Sequence, residues 1–270
     1  MNFPPPYFRE AGSGEGVVCI HSNASASAQW RPLMERLALR FRVIAPDSLG
    51  AGKSVAWPQD RVVTLSDEVA FLEPVLSLAG SPLALVGHSY GGAVALIAAL
   101  KHANAVRAVA LYEPTLFSLL EEEAPGQEAA DGIRQAAADA AASIDANQPS
   151  AAAARFIDYW MGVGSWDATP EPRQSVIAAS MSNVRGWANA LFTESTSLQA
   201  FRALDVPVLY MVGAKSPASS RGVARLLTSV LRKVTVVEFA ELGHMGPITH
   251  PQQVNTAIAQ FLEKNLKGCA

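Results

Sequence analysis

Cysteine is scarce in this sequence, which contains two among 270 residues. Cys19 falls in a run that we expect to be a core strand, and Cys269 lies near the C-terminus. Two such residues make no disulfide framework, so the sequence predicts unpaired thiols. A reducing cytoplasm is the location that this composition favours.

Positive charge and long apolar runs are also lacking. Lysine and arginine number 21 against 24 aspartates and glutamates, and the formal net charge is −3. Without a basic cluster, we expect no nucleic-acid partner. The most apolar stretch, GGAVALIAAL, is shorter than the ~20 residues that span a bilayer, so no membrane segment is predicted. The N-terminal MNFPPPYFREAG has no apolar run after a basic segment, so we expect that it is not a secretory signal.

Hydrophobic residues make up 50% of the chain and charged residues 17%, which predicts a sizeable buried core. Short apolar runs alternate with longer helical segments, the pattern of a mostly parallel central sheet with helices on both faces. The predicted strands are 16–20, 41–47, 82–87, 106–113, 206–213 and 234–240, and the predicted helices are 28–39, 65–78, 91–102, 219–231 and 251–266. Thr64 and Asp67 have the spacing of a capping box at the start of the second helix.

Residues 114–200 interrupt this alternation. They are rich in alanine, with helical stretches near GIRQAAADAAASI and AAAARFIDYWMG and no β-rich run. A disordered linker is one interpretation, but Trp160, Trp166, Trp187 and Phe192 need burial. We therefore expect a helical cap inserted into a core formed by 1–113 and 201–270. These four aromatic residues either line a substrate pocket or pack the cap on the core.

The stretch PDSLGAGKSV ends in the Gly-Lys-Ser of phosphate-binding loops. Such a loop needs a glycine where this chain has Asp47, because backbone N–H groups wrap the phosphate. It should also open a helix, whereas Val55 to Pro58 leads into a proline that disfavours helical geometry. A phosphate-binding loop is therefore not predicted.

The stretch LALVGHSYGGAVAL contains Gly-His-Ser-Tyr-Gly between a predicted strand and a predicted helix. This is the G-x-S-x-G pattern, in which a strained turn exposes a serine above the strand end. Gly87 and Gly91 supply the small neighbours that such a turn requires. Ser89 is therefore the candidate nucleophile, and an ordinary turn serine is the alternative.

With this motif, the chain resembles the α/β-hydrolase superfamily over about residues 12–113 and 200–267. The resemblance implies that Asp47 to Ser54, which matches the family's D-x-x-G-x-G-x-S loop, is a structural turn. It also implies that His244, in ELGHMGPITHP after the last strand, is the catalytic base. The remaining histidines are expected to be structural: His21, His88, His102 and His250.

The acid of the expected triad departs from the usual pattern. Most relatives carry it after the penultimate strand, where this chain has Ser216 in GAKSP. Glu113 ends an earlier strand, as the acid does in the similar haloalkane-dehalogenase branch, and the order Ser89, Glu113, His244 fits the family. The alternative for Glu113 is a surface glutamate before Pro114.

An oxyanion hole needs two backbone N–H donors. The resemblance assigns one to Tyr90, directly after the nucleophile. It assigns the other to the loop that follows the first predicted strand in VVCIHSN, with Asn23 as the expected residue.

The sequence thus predicts a serine hydrolase without cofactor or metal, because no HExxH or cysteine cluster is present. Its partner would be a small ester, lactone or related acyl substrate, cleaved through an acyl-enzyme. The same triad could instead hydrolyse a carbon–carbon bond or act as a lyase or perhydrolase. A ligand-binding, receptor-like protein with weak activity is the alternative outside enzymes. The oligomeric state, including a homo-oligomer, stays open.

Overall fold

The computed structural model of the chain describes residues 3–58, 60–123 and 129–267. Cys269 and residues 124–128 of the expected insertion lie outside the described residues. Seven strands form one sheet in the order β1-β3-β2-β4-β5-β6-β7. The strands are β1 Phe8–Ala11, β2 Gly16–Ile20, β3 Arg42–Pro46, β4 Leu83–His88, β5 Val106–Tyr112, β6 Val208–Gly213 and β7 Val234–Phe239.

Every pairing in this sheet is parallel except that of β1 with β3. The six strands expected from the sequence are present, which confirms the mostly parallel sheet. The edge strand β1 was not predicted, because FREA is four residues long and only half-buried. Its pairing places Phe8 opposite Pro46.

Helices cover both faces of the sheet, as predicted. The helices are α1 Arg31–Leu37, α2 Leu65–Ala79, α3 Tyr90–Lys101, α4 Ser118–Glu123, α5 Asp131–Asp145, α6 Pro149–Met161, α7 Glu171–Ser180, α8 Val184–Phe192, α9 Ala218–Val230, α10 Gly246–Thr249 and α11 Pro251–Asn265. Buried residues of α1 and α11 pack with alternate residues of the strands on one face, and those of α2, α3 and α9 on the other. None of the helices in the described ranges has the length and apolarity needed to cross a membrane.

The second helix begins as its sequence predicts. The Thr64 hydroxyl accepts the Asp67 N–H at 3.1 Å, and the Asp67 carboxylate accepts the Thr64 N–H at 3.0 Å. These two bonds satisfy N–H groups that have no partner inside the helix.

The helices α4 to α8 lie between β5 and β6, where the sequence predicts an insertion. Two of them, α5 and α6, match the predicted helical stretches. The helix α7 was not anticipated because EPRQSVIAAS buries only Ile177 and Ala178 and so has little apolar periodicity. The side of the insertion that faces the sheet is apolar, and its buried residues are continuous with the core.

The glycine-rich turn after β3 is organised by the carboxylate of Asp47. Its oxygens accept the backbone N–H groups of Ser27 at 2.6 Å and Lys53 at 2.9 Å. A Cβ on Gly52 (φ 54°) would lie 2.1 Å from this carboxylate. The carboxylate thus occupies the place that a phosphate would need, and the Lys53 ammonium lies over the Tyr7 ring.

The strand order reverses direction between β2 and β4, which are neighbours in the sheet. In open parallel sheets, ligands bind beyond the carboxyl ends of the strands at such a switch point. Ser22 and Asn23 follow β2, Ser89 follows β4 and Glu113 follows the adjacent β5. The topology therefore brings the candidate site residues to one edge of the sheet.

Candidate active site

Ser89 stands on a sharp turn between β4 and α3. Its backbone has φ 57° and ψ −120°, a region that L-residues rarely adopt. A Cβ on Gly91 would lie 2.3 Å from the Ile20 carbonyl, and one on Gly87 would lie 2.4 Å from the Gly91 carbonyl. Gly91 therefore lets the turn pack against the end of β2, and Gly87 lets it pack against the start of α3.

His244 lies in the loop after β7 and reaches both other members of the predicted triad. Its Nε2 is 2.9 Å from Ser89 Oγ, and its Nδ1 is 2.6 Å from Glu113 Oε2. An ionised carboxylate only accepts hydrogen bonds, so Nδ1 carries the proton and Nε2 is left to accept the serine hydroxyl. All three side chains are buried.

Glu113 follows β5 with φ 45°, a second strained backbone in the site. Its carboxylate is completely buried, and its Oε1 accepts the Gly213 N–H at 2.7 Å and the Ser216 hydroxyl at 2.5 Å. The interpretation of Glu113 as a surface residue is therefore wrong. Ser216, at the position where the family resemblance predicts an acid, donates a hydrogen bond to the Glu113 carboxylate.

A chain of hydrogen bonds connects the His244 loop to the loop after β2. His88 Nε2 donates to the His244 carbonyl at 2.9 Å, and Gln29 Nε2 donates to His88 Nδ1 at 3.1 Å. Gln29 Oε1 accepts both the N–H and the hydroxyl of Ser22. Burial lowers the pKa of His88 well below its ordinary value, so its ring stays neutral and keeps one donor and one acceptor. Sequence reasoning missed Gln29.

The two residues expected to donate to an oxyanion are next to Ser89: Tyr90 follows it in the chain, and Asn23 lines the same cavity. Gln29 occupies the Ser22 N–H, so the Asn23 N–H is the next one along that loop. Tyr90 is the first residue of α3, where helical N–H groups have no partner inside the helix. The Tyr90 hydroxyl points away and lies 3.2 Å from the buried Glu68 carboxylate.

The other predicted structural histidines have partners outside the triad. His21 donates from Nδ1 to the Ser22 carbonyl and accepts the Ser48 N–H, which organises the loop after β2. Burial lowers the pKa of His21. His102, at the end of α3, lies 3.0 Å from Glu73. The exposed His250 is the residue before α11, and its ring lies 2.9 Å from the Thr249 hydroxyl. Across the described ranges, no three His, Cys, Asp or Glu side chains are grouped to hold a metal ion.

A cavity of about 300 Å³ opens in front of Ser89 and His244 between the sheet edge and the insertion. A narrower space of about 30 Å³ lies on the other side of Ser89. Trp160 lines both, while Trp187 and Phe192 line only the narrow one. Trp166 lines neither space. It packs in the buried interior of the insertion, and its backbone N–H donates to the Asp158 carboxylate. The prediction that Trp166 lines the pocket is not supported by this placement.

Comparison with known proteins identifies the family. The sequence profile described as alpha/beta hydrolase fold matches residues 16–251. The (E)-2-((N-methylformamido)methylene)succinate hydrolase of Acinetobacter baylyi is 24% identical over 95% of this chain and 94% of its own. The 2-hydroxymuconate semialdehyde hydrolase of a Pseudomonas strain is 26% identical over 94% and 88%. A thermophilic esterase from Thermogutta terrifontis superposes with a TM-score of 0.74 at 25% identity, over 96% of this chain and 93% of its own.

Proposed function

The chain belongs to the α/β-hydrolase family and is an enzyme of the hydrolase type, and from that premise we propose that it hydrolyses a small ester, lactone or related acyl compound through Ser89, His244 and Glu113. One observation carries the proposal: His244 bridges Ser89 Oγ and the buried Glu113 carboxylate at 2.9 Å and 2.6 Å. A serine needs such a base, and the base needs an orienting carboxylate.

In the first half-reaction, Ser89 Oγ attacks the substrate carbonyl while His244 Nε2 takes the hydroxyl proton. Glu113 holds the Nδ1–H and stabilises the imidazolium that forms. The carbonyl oxygen becomes an oxyanion, which accepts the N–H groups of Asn23 and Tyr90. His244 then returns the proton from Nε2 to the leaving alcohol, and the acyl group stays on Ser89.

In the second half-reaction, water attacks the acyl carbonyl and gives a proton to His244 Nε2. Ser89 leaves, recovers that proton, and the carboxylic acid is released. The bonds from Gln29 to Ser22 and to His88, with the bond from His88 to the His244 carbonyl, connect the oxyanion loop to the His244 loop. No step calls for a cofactor.

We further propose that residues 114–200 act as a cap that selects the substrate. The insertion supplies Trp160, Trp187 and Phe192 to the walls beside Ser89. Apolar walls with a few polar groups are usual for small-molecule sites. The acyl portion of the substrate would lie against these rings, while Trp166 holds the cap together.

The test is turnover of p-nitrophenyl esters of increasing chain length and of simple lactones. Ser89→Ala should lower kcat by about 10⁴- to 10⁶-fold with the fold intact. The matched control is Ser229→Ala, which removes an exposed hydroxyl of α9 and should leave kcat unchanged. Retention of more than about a tenth of the activity by Ser89→Ala would reject the proposal.

Hydrolysis of a carbon–carbon bond on the same triad is the second candidate. It is favoured by the full-length similarity to a 2-hydroxymuconate semialdehyde hydrolase. A ring-fission diketone assayed beside the esters separates the two candidates by their kcat/KM values. Ser89-dependent consumption of the diketone at a higher kcat/KM than any ester would select this alternative.

A further inference from the structure

A second, larger groove adjoins the active-site cavity. It has a volume of about 730 Å³ and runs between the loop after β2, the glycine-rich turn after β3 and the helix α7. The groove and the cavity share Ala24, Arg173, Ile177 and Ile248 as wall residues. A substrate that fills the cavity in front of Ser89 can therefore extend into the groove.

The charges along this path have one sign. Of the lysines, arginines, aspartates and glutamates in the described ranges, Arg173 alone lines the cavity, and the groove adds Arg31. The chain as a whole has the opposite balance, with 24 acidic residues against 21 basic ones. The entrance to Ser89 is thus locally cationic on an acidic protein.

Neither arginine has a structural role that explains its position. Within the described ranges, no hydrogen bond or ion pair of either guanidinium is formed. Arg31 is the first residue of α1 and Arg173 the third residue of α7. Positive side chains stabilise the carboxyl end of a helix and are unfavourable at its start. Arg173 is therefore unfavourably placed in the first turn of α7, whereas Arg31 also closes the 3-10 helix Ser27–Trp30 that precedes α1. Both guanidinium groups leave their charge free for a ligand.

We propose that Arg173 and Arg31 bind an anionic group of the substrate, a carboxylate that is separated by a short apolar spacer from the carbonyl that Ser89 attacks. The inference rests on the proposed hydrolase function and adds the substrate class: esters of dicarboxylic acids or similar half-acids. The guanidinium fork matches a carboxylate with two parallel hydrogen bonds. The spacer lies in the apolar cavity between the two ends.

The test compares two substrates that differ in one charge, mono-p-nitrophenyl glutarate and its methyl ester. The wild type should turn over the anionic compound with the higher kcat/KM, mainly through KM. The ratio of kcat/KM for the anionic ester to kcat/KM for the neutral one should fall about 5-fold in Arg173→Gln and again about 5-fold in Arg31→Gln. This factor corresponds to the upper end of the contribution of an exposed ion pair. Arg173→Lys should keep part of the preference.

The control is Arg107→Gln, which removes an exposed arginine at the opposite end of β5 and should leave the ratio unchanged. Raising the ionic strength from about 0.02 to 0.5 M should reduce the wild-type ratio, because screening weakens an exposed contact. A ratio that is equal in all variants and insensitive to salt overturns the proposal, even when both esters are cleaved in a Ser89-dependent manner.

Binding without turnover separates this inference from the proposed function. In a Ser89→Ala background, Kd for the anionic ester should be lower than for the neutral one, and Arg173→Gln should remove most of the difference. Absence of Ser89-dependent turnover in the wild type would reject the hydrolase function, while equal Kd values for the two esters would reject the anion site.

Discussion

The indole of Trp160 lies flat on the imidazole of His244, with ring centroids 3.9 Å apart and planes inclined by 24°. Trp160 comes from α6 of the insertion and His244 from the loop after β7. Beside it, the Tyr159 hydroxyl lies 2.8 Å from Ser219 Oγ of α9, which fixes α6 on the core. The insertion therefore covers the ring that transfers the proton.

We expect this stack to stabilise the transition state, because an aromatic face attracts the imidazolium. Trp160→Leu keeps an apolar cover but removes the aromatic face, and it should lower kcat by about 2- to 30-fold. Trp160→Phe is the matched variant, which keeps a smaller aromatic face, and its kcat should lie between those of wild type and Trp160→Leu. A kcat of Trp160→Leu equal to that of wild type would show that the ring serves packing alone.

Two aromatic residues of the insertion should respond differently to truncation. Phe192 lines the narrow space beside Ser89, so Phe192→Ala should favour longer acyl chains over short ones by about 10-fold in kcat/KM. Trp166 is buried in the insertion, so Trp166→Ala should lower the free energy of unfolding by about 3 kcal/mol or more and leave the chain-length profile unchanged. Chain-length profiles and urea unfolding check both variants. The account of the cavity fails if Phe192→Ala changes stability only.

We expect that the carboxylate of the triad can be moved from position 113 to position 216. Glu113→Gln should lower kcat by up to about 10⁴-fold, because the imidazolium loses its charged partner. Ser216→Ala should have a smaller effect, since it removes one of the hydrogen bonds to the carboxylate. The double variant Glu113→Gln/Ser216→Asp carries its carboxylate at a position whose side chain contacts Glu113 in the wild type. Its kcat should be at least about 10-fold higher than that of Glu113→Gln. Activity of Glu113→Gln within 10-fold of wild type would contradict the role of Glu113.

The buried Glu68 should make stability depend on pH. Burial raises its pKa from 4.5 to about 7, although the hydrogen bonds that it accepts from Leu49 and Tyr90 act to lower the pKa. In this range the folded state binds a proton that the unfolded state has lost, so the free energy of unfolding falls as pH rises from about 4.5 to 7. Glu68→Gln should remove up to about 3 kcal/mol of that fall.

Urea unfolding at several pH values between 4.5 and 8 measures the effect of Glu68→Gln. The control is Glu35→Gln, which changes an exposed carboxylate of α1 and should keep the wild-type pH dependence of stability. Parallel stability curves for wild type and Glu68→Gln would show that Glu68 does not titrate in this window.

The sequence allowed the sheet, its covering helices and the family to be predicted because these depend on local periodicity and on one rigid motif. Ser89 could be found because its turn demands glycine on both sides, and His244 because it follows the last strand. The edge strand β1 escaped prediction because its short, half-buried run carries no periodic signal.

Side-chain relationships across the fold were harder to predict. The bond from Ser216 to Glu113 spans 103 positions, and the one from Gln29 to His88 spans 59. Neither has a local pattern, because each depends on where two loops meet. The aromatic residues Trp160, Trp166, Trp187 and Phe192 of the insertion look alike in sequence, and only packing separates Trp166 from Trp160.

The central claim is that Ser89 is a nucleophile activated by His244 and Glu113, and reaction with a fluorophosphonate tests it most directly. Intact-mass measurement should show one phosphonyl group added per chain, and peptide mapping should place it on Ser89. Ser89→Ala should not react, and Glu113→Gln should react far more slowly. Absence of a covalent adduct on the folded wild-type protein, or an adduct on another residue that persists in Ser89→Ala, would contradict the claim.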